Sequence, residues 1–92
     1  MRGEEVREAQ QLINVIARGN PQVPAVAVDG IFGSATRDAV SVIQSLLGLP
    51  ATGAIGPLTW EGMAQLARDV LASAQTGEGQ YPGYAVGEGE NT

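Results

Sequence analysis

Apolar residues recur at helical spacing in three separate stretches of the chain. Across residues 4–18, EEVREAQQLINVIAR, the side chains of Val6, Ala9, Leu12, Ile13 and Ile16 share one face, the pattern of an amphipathic helix lying on a core. Glu4 and Glu5 open this stretch and Arg18 closes it; each charge opposes the partial charge of its helix end. Gly19-Asn20-Pro21 marks the stop. The following QVPAVAV is interrupted by Pro24 and reads as a loop with some extended backbone. A second helix is predicted over about 34–47, with Ala35, Ala39, Val40, Ile43, Leu46 and Leu47 inward, Gly48 as its stop and Pro50 just beyond. A third starts at Pro57, a residue suited to the first helical position, and runs to about 74 with Leu58, Met63, Leu66, Ala67, Val70 and Leu71 inward. Beyond it, QTGEGQYPGYAVGEGENT is Gly-rich, with Tyr81 and Tyr84 among few apolar positions, and reads as a linker or tail. The expected fold is all-α: a compact three-helix bundle over residues 2–74 and a Gly-rich tail over 75–92.

The second and third helices are introduced by matching segments, VDGIFGSAT and TGAIGPLT. Gly30, Gly33 and Thr36 correspond to Gly53, Gly56 and Thr59 at a constant offset of 23 residues. A spacing used twice points to a backbone device. Gly30 and Gly53 suit positive φ, Phe32 and Ile55 can tuck inward, and Gly33 and Gly56 suit the N-cap. Thr36 and Thr59 can then reach back to the N-cap amide, as the Glu of a capping box does. Two helix starts, each with free amides and a partial positive charge, also offer a place for a carboxylate.

Composition narrows the chemistry. The chain has 92 residues, enough for one small domain. It has no Cys, so neither disulfides nor thiolate-bound metal can staple it. All its cations are Arg and its net charge is −5, which argues against nucleic acid and anionic membranes as partners. No apolar run is long enough to span a bilayer, and the N-terminus has no apolar stretch like that of a signal peptide. Without His, Cys or Lys the common bases and nucleophile pairs are missing. No carboxylate spacing makes a metal-ligand set. No enzyme activity, metal or cofactor is expected.

VREAQQLINVI followed by VDGIFGSATRDAVSVIQSLLGLPATGAIGPLTW resembles a peptidoglycan-binding module of the short three-helix type, commonly fused to bacterial cell-wall hydrolases. The resemblance rests on Val6, Arg7, Gln10 and Ile13, then on Asp29–Thr36, then on Gly48–Trp60, and spans about residues 5–71. Ile43 stands before Gln44 where the family usually has an aromatic, a change in the groove or in the core. The long 19–27 loop resembles forms from spore-forming bacteria, and YPGYAVGEGE resembles linkers between tandem copies. The resemblance implies a monomeric wall anchor, extracellular, in the cell wall or a spore envelope. Its ligand would be the peptidoglycan stem peptide, with its free carboxylate, or the glycan, in a groove between the second and third helices near their starts. The residues it nominates are Asp29, Gly30, Phe32, Gly33, Thr36, Arg37, Gln44, Thr59 and Trp60.

Each has a structural reading beside the ligand one. Phe32 plugs the core, Asp29 accepts turn amides, and the two threonines cap. Gln44 holds a loop or faces a groove. Trp60 seals the bundle edge or offers a ring face to ligand. Arg37 pairs with a ligand carboxylate or with Asp38, and Arg7 pairs with Glu4 along its helix. A protein-interaction or spacer module reusing the fold is the second functional reading; the negative charge and Ile43 favour it.

Overall fold

The computed structural model describes residues 3–76, with side chains through Ser73. Among them are three helices, α1 (Gly3–Gly19), α2 (Ser34–Leu47) and α3 (Pro57–Thr76), and no strand. They coincide with the predicted stretches, α1 one residue longer at each end and α3 two longer at its C-terminal end. The expected tail lies, from residue 77 onward, outside the described residues, as do Tyr81 and Tyr84.

Helix α1 packs chiefly on α3. Glu5 and Pro57 line one hollow at the N-terminal ends, and Gly19 touches Val70 toward the C-terminal ends, so the two helices run in the same direction. Gly19 permits a close approach: a Cβ there would lie 2.9 Å from Val70 Cγ2. The core combines Ala9, Ile13 and Ile16 of α1 with Ala39, Val40 and Ile43 of α2 and Met63 and Ala67 of α3. Val23, from the loop, completes it at 3% exposure. Burying each large aliphatic side chain here stabilises the fold by roughly 1.5–3 kcal/mol.

The apolar stripes were drawn too wide. Ala35 is exposed, as are Leu46, Leu58 and Leu71, Leu58 at 69%. Three short helices bury only a narrow seam, and among the described residues no fourth element covers the flanks of α2 and α3.

The connections are fixed by side chains. Asn20 Nδ2 donates to the Ile16 carbonyl at 2.9 Å, closing α1. Asn14 grips the loop at both polar atoms of one residue, donating to Val26 O and accepting from Val26 N, each at 2.8 Å. Helix α2 ends as expected at Gly48, in the left-handed region at φ 75°. Gly48 N bonds Ser45 O and Leu49 N bonds Gln44 O, the paired bonds of a Schellman stop.

Candidate functional site

Both lead-in turns take the expected backbone. Gly30 and Gly53 have φ of 77° and 80°. Gly33 is the N-cap of α2 in extended conformation. The first backbone bonds run from Arg37 N to Gly33 O and from Trp60 N to Gly56 O. The match between the turns goes deeper than their glycines, because each is held by one buried glutamine from the preceding helix.

Gln10, on α1 and 1% exposed, serves the first turn. Its Oε1 accepts from Asp29 N at 3.0 Å and Gly30 N at 2.9 Å. Its Nε2 faces Asp29 Oδ1, the Ile31 carbonyl and Thr36 Oγ1 at 2.9–3.1 Å. Gln44, on α2 and 2% exposed, serves the second. Its Oε1 accepts from Gly53 N at 2.9 Å. Its Nε2 faces the Ala54 carbonyl, Thr59 Oγ1 and, at 3.3 Å, Thr52 Oγ1. Asp29, Gly30, Ile31 and Thr36 thus correspond to Thr52, Gly53, Ala54 and Thr59 at the 23-residue offset already read from the glycines. Asp29 Oδ1 also accepts from Ile31 N, as Thr52 Oγ1 does from Ala54 N.

This corrects the role expected of the threonines. Thr36 and Thr59 are buried, and their hydroxyls receive the glutamine amides instead of reaching back to the N-cap. A buried glutamine amide must place both its donor and its acceptor, and that requirement fixes the threonines' direction.

An arginine covers each turn, Arg7 with its guanidinium and Arg37 with its stem. A Cβ on Gly30 would sit 3.4 Å from Arg7 Cζ and Nε; a Cβ on Gly53 would run into Arg37 Cγ. Arg7, expected to pair with Glu4, therefore lies over the first turn, and no ion pair joins the two. The Asp29 carboxyl is held below its ordinary value, first by the Ile31 amide, then by Gln10, with the Arg7 charge adding to the effect.

The nominated residues separate by depth. Asp29 and Arg37 are exposed, while Gly30, Phe32, Gly33 and Trp60 are half-buried. Thr36, Gln44 and Thr59 lie beneath them. Phe32 and Trp60 pack against the core. Trp60 also borders two hollows: one of about 330 Å³ with Glu5, Ile55, Gly56 and Pro57, and one of about 340 Å³ in the α1–α3 seam. The hollow between α2 and α3, about 380 Å³ among Leu47, Leu58 and Gly62, contains none of the nominated residues. Nor does a hollow of about 520 Å³ beside Arg18 and Asp69. Gln10 and Arg7 were legible as motif residues but not as parts of the site; a polar residue on an apolar stripe, four positions after Val6 and three before Ile13, was the available signal.

The family model described as "Putative peptidoglycan binding domain" matches residues 2–63, which include both turns and both glutamines. The chain belongs to the peptidoglycan-binding domain family. A zinc D-Ala-D-Ala carboxypeptidase from Streptomyces albus G is 43% identical over 68 residues, covering 73% of this domain's chain and 25% of the carboxypeptidase. The chain thus spans a quarter of that relative's length. No solved structure matches it. In this peptidoglycan-binding domain Ile43 is fully buried, so this position belongs to the core and not to a groove. No described helix is long and apolar enough to cross a membrane.

Proposed function

We propose that this domain is a non-catalytic anchor that holds a larger protein on peptidoglycan, as one unit of a tandem array. The family match across both turn-helix units carries this reading. The ligand is the stem peptide with its free carboxylate, or the adjoining glycan. Asp29, Gly30, Phe32, Gly33, Arg37 and Trp60 form the contact surface, and Thr36, Gln44 and Thr59 hold it from beneath. Arg37 supplies the cation, next to the first amides of α2, which precede the first helical backbone bond. With no His or Cys, the chain lacks zinc's usual nitrogen and sulfur ligands, so the relative's zinc chemistry is not carried over. The anchor works as a monomer at the cell wall or in a spore envelope. It binds neither nucleic acid nor the membrane interior.

Co-sedimentation with protein-free sacculi tests this. Wild type is expected in the pellet. Arg37→Gln keeps the Cγ and Cδ that lie against Gly53 and removes only the charge, so its binding should fall several-fold with no loss of fold by circular dichroism. Wild type remaining in the supernatant, even as a tandem dimer, would sink the anchor reading. The protein-interaction reading, which the net charge of −5 favours, would then stand.

A further inference from the structure

Trp60 borders two hollows, one at the helix starts and one in a trench along the α1–α3 seam. Leu12, Val15 and Leu71 give the seam trench an apolar lining. Glu5 borders the first hollow and Glu8 the seam trench, three residues apart on one face of α1. The carboxylates differ in what else occupies them. Glu5 stands in the first turn of α1, and it shares its hollow with the α3 start at Gly56 and Pro57; it answers the partial positive charge of both helix ends. Glu8 is in the second turn, beyond the reach of that field, and it has no hydrogen bond or ion pair to any described residue. The Trp60 indole N–H likewise has no acceptor among the described residues.

We infer that the seam trench takes an aliphatic primary ammonium: Glu8 pairs with the charge, the Trp60 ring stacks on it, and Leu12, Val15 and Leu71 receive the methylene stem. A carboxylate beside an aromatic face is a cation site, and an apolar trench leading to it suits a flexible amine side chain better than a compact ion. This rests on the wall-anchor reading and specifies it. The ligand is a stem peptide whose diamino residue keeps a free amine, so amine-free and cross-linked stems are discriminated.

Trp60 is the chain's one Trp, so its fluorescence reports the trench directly. The probes are muropeptides released from sacculi by muramidase, with amines free or acetylated. Free-amine muropeptides should bind wild type about five- to tenfold more tightly than acetylated ones. Glu8→Gln should remove that difference. Asp38→Asn, an equal charge change on exposed α2, should preserve it, which separates a local pair from net charge. Equal binding of both probes by wild type overturns the inference and leaves wall binding intact, as does sacculus binding with no muropeptide binding. Discrimination that survives Glu8→Gln, or is lost equally in Asp38→Asn, also overturns it. Failure to bind sacculi at all removes the anchor reading and the inference with it.

Discussion

A glutamine is a costly core residue unless every polar atom finds a partner. Gln10 meets that condition with five neighbours, two amides on its oxygen and three acceptors before its nitrogen. Gln10→Ala should therefore do more than open a cavity. It leaves the Asp29 and Gly30 amides without an acceptor, and a destabilisation of roughly 2–4 kcal/mol is expected. Urea unfolding measures it; a shift below about 1 kcal/mol would mean that the turn holds itself. Asp29 adds a pH dependence to the same node. The Ile31 amide, Gln10 and Arg7 depress its folded-state pKa below 3.8. Its stabilising contribution is thus fully present above the ordinary aspartate value and fades as pH falls through the folded one. Asn keeps an oxygen for both donors but carries no charge. Asp29→Asn should accordingly flatten the acid limb of a Tm-against-pH curve relative to wild type. Parallel curves would show that the charge contributes nothing to the turn.

The two turn-helix units test the same device at two positions with opposite consequences. Gly53 is left-handed and lies under Arg37, so Gly53→Ala should cost about 1–2 kcal/mol from backbone strain alone and displace the arginine as well. Gly33 has an extended backbone and nothing within 4 Å of a Cβ placed there. Gly33→Asp should raise stability by about 0.5 kcal/mol, because its carboxylate caps α2 and opposes the helix charge. It should also weaken sacculus binding, since the cap occupies the amides proposed for the ligand. A variant that is both more stable and a better binder would move the ligand away from the α2 start. The elements themselves were legible because Gly19, Gly48, Pro57 and the paired glycines punctuate the chain at points where φ or a missing N–H decides the backbone. The glutamine nodes were less legible. Gln10 and Gln44 occupy stripe positions where periodicity expects an apolar residue, and their partners lie 19 to 26 and 8 to 15 residues away. Such pairings belong to tertiary geometry. Val23 was missed for a related reason: a loop residue has no period to reveal that it faces the core.

At the scale of the molecule, packing and charge separate along the chain. Among the described residues the core lies between Val6 and Ala67, whereas Glu78, Glu88 and Glu90 fall beyond α3. A chain ended at Thr76 keeps five arginines against seven acids, a net charge of −2 in place of −5. Because the shortened chain keeps every described core residue, its Tm should stay within about 3 °C of the full chain's, a shift worth less than roughly 1 kcal/mol. Its binding should respond more strongly. An anionic wall repels the full chain over a Debye length of about 30 Å at 0.01 M salt but only about 8 Å at 0.15 M. The shortened chain should therefore bind sacculi more tightly at low salt, and the advantage should vanish as salt rises. The contacts proposed for Arg37 act at short range, so they should persist where that long-range repulsion is screened. Co-sedimentation across a salt series distinguishes the two effects. An advantage that persists at high salt would mean that residues 77–92 hinder the wall by bulk. Loss of binding on shortening would mean that those residues contribute contacts of their own, and the contact surface would then extend beyond the three helices.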